Sequence, residues 1–246
     1  MRAVGKENAW FKFRGVKNTD MNVQMLSMPI RPHPARKGEL IDVPARDGKL
    51  FIDEYTYDRI LVTLQCVAID NDNIDAISAW LSGDGDLVFG DEPDRAYKAR
   101  ITKEFSRANK MPRLRGQEFT LVFDCEPFRY ESIPSEPIVI ARTGTIITNP
   151  GTLESLPLIQ INGSGSQTLM IGSSTMLFDG LENEKPMYVD CDAKIVYTGT
   201  ASGPSPMVLA TQNATGDWMI IEPGQQIVAF TDGITSVTIT PRWRWL

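Results

Sequence analysis

Apolar residues recur at every second position along most of the chain, and this alternation is the feature that most limits the possible folds. In the segment RILVTLQCVAI, for example, Ile60, Val62, Leu64 and Cys66 fall on one side of an extended backbone. Successive side chains of a β-strand point to opposite faces, so a period of two predicts strands with one buried face. We therefore expect a mainly β protein.

The same pattern continues on both sides of this segment. EFTLVFDCEPF places Phe119, Leu121, Phe123 and Cys125 on one face. ELIDVPARDGKLFIDEY is predicted to form a hairpin that turns at Asp47-Gly48, because Asp-Gly is a favoured pair in tight turns.

One segment has helical spacing instead. DNDNIDAISAWLSG begins with Asp and Asn residues that suit an N-cap, and Gly83 can end the helix in a left-handed conformation. The pattern predicts a helix over about residues 73–82. Its apolar face consists of Ile74, Ile77, Trp80 and Leu81.

Short strands bounded by Gly, Pro, Asn or Asp fill the chain after Pro137, which is typical of a sandwich or jelly roll. The stretch TNPGTLESLPLIQINGSG, residues 148–165, is predicted to be the opening hairpin of this region. Asn149-Pro150-Gly151 would form its turn, since Pro fixes φ and Gly accepts positive φ. Pro157 would start the next strand, where a missing N–H is tolerated.

Charge is distributed unevenly between the two halves. Residues 1–134 carry 20 basic and 21 acidic side chains, whereas residues 135–246 carry 5 basic and 10 acidic ones. This drop predicts two domains with different surfaces, 1–134 and 135–246. The net charge of −6 argues against a nucleic-acid-binding protein, which normally has a basic surface.

Several classes of protein are disfavoured by what the sequence contains. No apolar run approaches the ~20 residues that span a bilayer, and the first residues do not form a secretion signal, so we expect a soluble protein made in the cytoplasm.

Cys66, Cys125 and Cys191 are far apart and show no C-x-x-C spacing. They are predicted to be buried free thiols rather than disulfides or zinc ligands.

Candidate catalytic and metal-binding residues are few. His33 is the only histidine, and no G-x-S-x-G motif accompanies it. Acidic residues gather in one loop that suits either a weak metal site or a solvated turn, and the turn is favoured. A glycosidase carboxylate pair distant in sequence stays open. We expect no catalytic, cofactor-binding or metal-ligating residue. The residues of the acidic loop named above are Asp84, Asp86, Asp91, Glu92 and Asp94.

Two further groups of residues allow more than one interpretation. Basic residues within 103–115 could contact an acidic partner or phosphate, although a charged hairpin tip is favoured. Trp243 and Trp245 alternate with arginines near the end of the chain, so they suit a sugar or partner platform, a core or an interface. Galectin-type sugar sites use a histidine, and residues 135–246 contain none.

Seven segments follow one another in a characteristic order and spacing. They are WFKFRGV, VPARDGKLFIDE, RILVTLQCVA, IDAISAWLSGDGDLVFGDEPDRAYKARI, FTLVFDCEPFRY, ITNPGTLESLPLIQINGSG and PRWR. Together they resemble the distal tail protein family of long-tailed bacteriophages, and the resemblance covers essentially the whole chain.

The resemblance implies a fold and an assembly. Residues 1–134 would form a tail-tube-like β-sandwich with one helix, and six copies of this domain would form a homohexameric ring. Residues 135–246 would form a galectin-like β-sandwich outside that ring. The ring would join the tail tube protein to a baseplate hub or tail-tip protein in the virion, leaving a channel for the tape measure protein and DNA. A receptor-binding protein is a further partner, and the resemblance implies neither enzymatic activity nor a cofactor.

The predicted hairpin is our candidate for the contact between subunits. Leu40, Val43, Leu50 and Phe51 would be buried against the adjacent copy, because a ring uses one patch against a different patch. Alternatively, the hairpin covers the core of its own chain. Two other functions stay open at this point: a carbohydrate-binding module that recognises host cell-wall glycans, and a hydrolase.

Overall fold

The computed structural model describes residues 9–69, 74–102, 117–183, 185–200, 203–209 and 213–246. Contacts divide the chain into two units, Met1–Ser132 together with Leu246, and Ile133–Trp245. The sequence places the boundary between residues 134 and 135. No helix in the described ranges is long and apolar enough to cross a membrane.

Unit 1 is built on one antiparallel sheet with the strand order β2-β1-β7-β8-β9-β6-β3. Strands β4 and β5 form a separate pair. The elements are β1 Phe11–Phe13, β2 Val16–Lys17, β3 Val23–Met25, β4 Arg36–Asp42, β5 Lys49–Tyr57, β6 Ile60–Ala68, α1 Ile74–Trp80, β7 Asp84–Phe89, β8 Glu92–Ile101 and β9 Gln117–Glu131.

Helix α1 packs on one face of this sheet through its aromatic end. The ring of Trp80 stacks on Phe11 with centroids 5.6 Å apart, and its indole N–H donates to the carbonyl oxygen of Phe13 at 2.9 Å. Ile77 is fully buried beside them. Because the indole N–H has a partner, the whole ring can be buried without a free donor.

The predicted alternation is confirmed in the central strands. On both β6 and β9 the predicted apolar residues are buried in one cluster, whose members include Ile60, Val62, Leu64, Phe119, Leu121 and Phe123. The predicted helix is also confirmed, with α1 ending at Trp80 rather than near residue 82. Gly83 has φ +81°, as expected for a residue that stops a helix.

Unit 2 consists of two antiparallel sheets, with the orders β10-β20-β12-β15-β16-β17 and β11-β19-β13-β14-β18. The elements are β10 Ile138–Ile140, β11 Thr145–Asn149, β12 Leu158–Gly163, β13 Gly165–Ile171, β14 Ser174–Leu181, β15 Met187–Asp190, β16 Ile195–Thr200, β17 Gly203–Leu209, β18 Ala214–Gly216, β19 Gly224–Phe230, β20 Ile234–Thr240 and β21 Arg244–Trp245.

The core of unit 2 lies between its two sheets. Ile159 and Ile239 come from the first sheet, Leu169 and Val228 from the second, and all four are fully buried in one cluster. Two sheets that bury their inner faces against each other make a β-sandwich. The predicted mainly β class with sandwich architecture is therefore confirmed.

The stretch 148–165 differs from its prediction. Strand β11 pairs with β19 in one sheet, whereas β12 pairs with β15 and β20 in the other. The predicted opening hairpin is therefore wrong, because the Pro-Gly segment carries the chain from one sheet to the other. The alternation of each strand is local, but the sheet it joins depends on distant partners.

Asn149 holds this crossing in place. Its side-chain N–H groups donate to the carbonyl oxygens of Leu153 at 2.9 Å and Ile221 at 2.8 Å, and its oxygen accepts from the N–H of Gly151 at 2.7 Å. Asn149 is buried, and its bond to Ile221 is made away from water. Asn149 therefore links the turn to a segment that lies far away in sequence.

The three cysteines are free thiols and buried. Desolvation by burial raises the pKa of Cys66, Cys125 and Cys191 to about 12 in each case. A thiol reacts as its thiolate, so these groups are unreactive in the folded protein at neutral pH. The predicted buried free thiols are confirmed.

Changing Asn149 to Ala tests the role of the crossing. We expect the free energy of unfolding to fall by about 3 kcal/mol, because a buried amide that makes three hydrogen bonds is lost. Urea denaturation measures this change. Asn162→Ala is the matched control, since Asn162 makes one side-chain bond, to the Ser236 hydroxyl at 3.0 Å. Equal losses for the two variants would contradict the assignment.

Candidate assembly surface

Strands β4 and β5 form an arm, defined here as residues 36–57. They pair with each other and, among the described strands, with no other. Asp42 pairs with Lys49, so a loop of residues 43–48 joins the strands. The predicted tight turn at Asp47-Gly48 is therefore wrong. The chain reverses over a longer loop in which Ala45 and Gly48 have positive φ.

The arm carries apolar side chains on both of its faces. Leu40 lies directly opposite Phe51, and Ile41 lies opposite Leu50, with Ile52 on the same face as Leu50. Residues opposite each other on paired strands share a face, and adjacent positions alternate. The exposed fractions are 59 % for Leu40, 46 % for Phe51, 38 % for Leu50 and 48 % for Ile52. Each face thus mixes apolar with charged side chains, in contrast to strands that have one apolar and one solvated side.

This exposure bears on the two interpretations of the predicted hairpin. If the arm covered the core of its own unit, the apolar residues of one face would be buried. Leu40, Leu50 and Phe51 are exposed, and Val43 is half-buried in the loop. The arm thus leaves these residues exposed rather than burying one face on its own unit, and the four residues do not share one face.

Two ion pairs lie within the arm. Arg36 contacts Asp53 at 2.6 Å, and Lys49 contacts Asp42 at 3.1 Å. Such exposed pairs contribute little stability. The exposed apolar residues of the arm thus lie among charged side chains, four of which are paired with each other.

Gly38 positions the Phe51 ring. A Cβ atom placed on Gly38 would lie 2.4 Å from the ring of Phe51 and from the carbonyl oxygen of Ile52. Real contacts are not this close, so only glycine lets the ring lie over the opposite strand. The absence of a side chain at Gly38 therefore lets the Phe51 ring pack against the backbone of the opposite strand.

A bulge in β5 presents Tyr55. This residue is exposed and has φ +56°, which is uncommon for an aromatic side chain. Its N–H donates to Asp53 at 2.7 Å, and the Arg36 guanidinium lies 5.9 Å from its ring. The Tyr55 N–H, together with Arg36, holds the pKa of Asp53 below its ordinary value of 3.8, although burial acts in the opposite direction.

Several other candidate residues contact neighbours within the chain. Within the described ranges, no group of three or more His, Cys, Asp or Glu side chains lies together in a way that would hold a metal ion. In the acidic loop, Asp91 and Glu92 form ion pairs with Arg31, and Asp94 forms one with Arg95. His33 lies beside the carbonyl oxygen of Pro34. Residues 103–115, with the basic cluster, lie outside the described residues.

The two tryptophans do not form a surface platform. Trp243 is 4 % exposed and Trp245 is 7 % exposed, and both belong to the core cluster of unit 2. The indole N–H of Trp245 donates to the carbonyl oxygen of Pro150 at 3.2 Å. Stacking on a sugar requires an exposed ring face. The platform interpretation is therefore wrong, and the core interpretation applies.

Sequence reasoning missed Ile52 and Tyr55 as exposed members of the arm. The signal for Ile52 was present, because Leu50, Phe51 and Ile52 are three adjacent apolar residues. In a strand, such a run places large apolar groups on both faces. The bulge at Tyr55 has no comparable signal, since it depends on how β4 and β5 pair.

Comparisons with known proteins give a result for the fold only. No protein-family model matches the sequence, and no curated protein matches it significantly. Among solved structures, the chain is similar to SPP1 Dit (gp 19.1), described as a paradigm of the hub adsorption apparatus in phages that infect Gram-positive bacteria. The identity is 17 % and the TM-score 0.66, over 96 % of this chain and 99 % of that one.

Two structures of the phage P2 baseplate in its activated conformation, with Ca and with Sr, also match. Their TM-scores are 0.49 and 0.46 at 7 % identity, over 92 % and 91 % of this chain and 91 % of each of theirs. TM-scores this low at this identity carry no weight for the fold.

The similarity to SPP1 Dit shows that the chain has the two-unit β fold of that protein. The resemblance found in the sequence is confirmed at the level of the fold.

Changing Asp53 to Ala tests the bulge. We expect faster backbone hydrogen exchange at residues 54–57, because the Tyr55 N–H loses its acceptor. Asp47→Ala, in the loop of the arm, serves as the control. Since the pKa of Asp53 is lowered on folding, its contribution is present above its ordinary value of 3.8 and is lost as the pH falls through the folded value. Protection that is unchanged in Asp53→Ala would contradict this role.

Proposed function

We propose that the protein is a structural component of a bacteriophage tail tip, a distal tail protein that works by holding other proteins in position. The observation that carries this proposal is the similarity of fold to SPP1 Dit along nearly the full length of both chains. A fold alone does not define a function, so the proposal also rests on the arm, whose exposed apolar faces suit assembly.

Each domain has its own part in this proposal. Residues 1–134 are the tail-tube-like domain and form a homohexameric ring. Residues 135–246 are the galectin-like sandwich on the outside of the ring. The ring joins the tail tube protein to the baseplate hub or tail-tip protein, and its channel passes the tape measure protein and then DNA. The protein is made in the host cytoplasm and resides at the distal end of the tail.

The subunit contact in this proposal is the arm of each copy against its neighbour. Leu40, Leu50 and Phe51 supply the apolar surface, with Val43 at the loop. Burying one such side chain contributes roughly 1.5–3 kcal/mol, so several together stabilise a contact despite the cost of association. A contact between one patch and a different patch closes into a ring when the rotation allows it.

Assembly needs no reactive group. The three thiols are buried and their pKa is raised. In the acidic loop, Asp91 and Glu92 form ion pairs with Arg31. The sugar-platform alternative loses its two tryptophans to the core of unit 2. We therefore propose a non-enzymatic role, with adsorption to the host carried by partners such as a receptor-binding protein.

Changing Phe51 to Asp tests the ring. We expect wild-type protein to show a species with the mass of six chains by native mass spectrometry, and Phe51→Asp to shift at least tenfold towards the monomer. A charge at the centre of a desolvated apolar contact costs several kcal/mol. Ile146→Asp is the control, because Ile146 is also a large, exposed apolar residue but lies in unit 2. Wild-type protein that stays monomeric at high concentration, or an intact ring in Phe51→Asp, would contradict the proposed contact.

A further inference from the structure

Four large apolar side chains are exposed on one sheet of unit 2, the sheet with the order β11-β19-β13-β14-β18. They are Ile146, Ile227, Met170 and Leu177, and their exposed fractions lie between 42 % and 58 %. Each is followed or preceded on its strand by a residue that is buried in the core of unit 2. Successive residues of a strand point to opposite faces, so these four share the face that is turned away from the core.

The register of the strands joins these four residues into one diagonal line, which we call the stripe. Ile146 lies directly opposite Ile227. Met170 lies opposite the residue two positions beyond Ile227, and Leu177 lies two positions beyond the residue opposite Met170. Diagonal neighbours of this kind are within reach of each other. From the spacing of strands and their rise per residue, the stripe is roughly 20 Å long.

The face around the stripe has acidic but no basic side chains among the described residues of its five strands and their ends. Asp179 lies two positions beyond Leu177 on β14. Asp217 follows directly after β18, and its N–H donates to the carbonyl oxygen of Thr175 at 2.9 Å. Both aspartates are exposed. Two carboxylates therefore border the stripe near Leu177.

We propose that the stripe docks an amphipathic α-helix of a partner protein, with basic residues at the end of the helix that lies over Asp179 and Asp217. This inference goes beyond the proposed function. It does not depend on the ring, because every residue that it uses lies in unit 2.

The direction of the stripe favours a helix over a strand. A strand added to the free edge of this sheet would pair with β11 and contact Ile146, whereas Met170 and Leu177 lie two and three strands further in. A helix instead presents residues i, i+4, i+7 and i+11 along one line. At a rise of 1.5 Å per residue, about 13 helical residues cover the stripe.

The two carboxylates determine the charge of the partner. Basic side chains complement Asp179 and Asp217, whereas acidic side chains would be repelled on a face that lacks a described counter-charge. The same argument disfavours a second copy of this face as the occupant. Two copies packed on each other would bring four carboxylates together without a basic group between them.

Binding of synthetic peptides to the full chain tests the proposal. The probe is a fluorescein-labelled helical peptide of about 16 residues with leucines at i, i+4, i+7 and i+11. It carries lysines in its first and last turns, so that both directions along the stripe are covered. A second peptide has glutamates in place of the lysines, and a third alternates threonine and valine as a strand does. Fluorescence anisotropy measures the dissociation constant of each peptide.

We expect the lysine peptide to bind at least tenfold more tightly than the glutamate peptide. Met170→Asp and Leu177→Asp should each weaken its binding at least tenfold, because a carboxylate would be buried in the apolar contact. Val139→Asp is the matched control and should bind as the wild type does. Val139 is also a large, exposed apolar residue of unit 2, but it lies in the other sheet.

A change of charge gives a second measurement that is independent of apolar packing. In Asp179→Lys the preference should move towards the glutamate peptide, because one of the two carboxylates is replaced by a cation. Near-ultraviolet circular dichroism of each variant checks that its fold is kept. An unchanged preference in Asp179→Lys would contradict the proposed role of the carboxylates.

The remaining outcomes decide the proposal. It is wrong if the lysine peptide fails to bind wild-type protein at millimolar concentration, or if Met170→Asp and Leu177→Asp bind it as tightly as the wild type. Binding of the threonine–valine peptide alone would assign the docking element to the edge of β11 and would also overturn the proposal. Binding of the lysine peptide that is lost in both stripe variants and kept in Val139→Asp supports it.

Discussion

Burial of one face of each strand is the constraint on which both units depend. In unit 1 the inner faces of β6 and β9 pack under α1, and in unit 2 the inner faces of two sheets pack on each other. Each buried apolar side chain contributes roughly 1.5–3 kcal/mol, and the outer face is left to water. The arm departs from this arrangement, because Leu40 with Phe51 on one face and Leu50 with Ile52 on the other are all exposed. This exposed apolar surface is the observation on which the proposed subunit contact rests.

Polar groups hold the places where the chain leaves its strands. The buried side chain of Asn149 makes three hydrogen bonds at the crossing between the sheets of unit 2. Asp53 accepts the N–H of Tyr55 at the bulge of the arm and pairs with Arg36. Each group fixes a local backbone path that apolar burial does not specify. Hydrogen bonds depend on direction, whereas the burial of apolar surface does not. The backbone of the arm is thus fixed at its bulge, although Leu40, Leu50, Phe51 and Ile52 are exposed.

The fold class, the single predicted helix and the buried cysteines were predictable because they follow from local periodicity and spacing. The hairpin predicted at residues 148–165 was wrong, since periodicity identifies a strand but not its partner. The tryptophans were ambiguous for a related reason. Alternation put Trp243 and Trp245 on one face of a strand, but only the packing of unit 2 made that face the inner one. For the arm, the sequence predicted its apolar content, and the register of β4 and β5 showed that this content is divided between two faces.

By itself, the sequence determined that the chain is mainly β, that its apolar residues line one face of most strands, and that it has few groups suited to catalysis. These properties depend on neighbours within a few residues, which a period of two or of 3.6 records. The tertiary structure decided which strands pair and which apolar residues stay exposed. These features depend on residues far apart in the chain, whose approach is set by the packing of whole sheets rather than by local sequence.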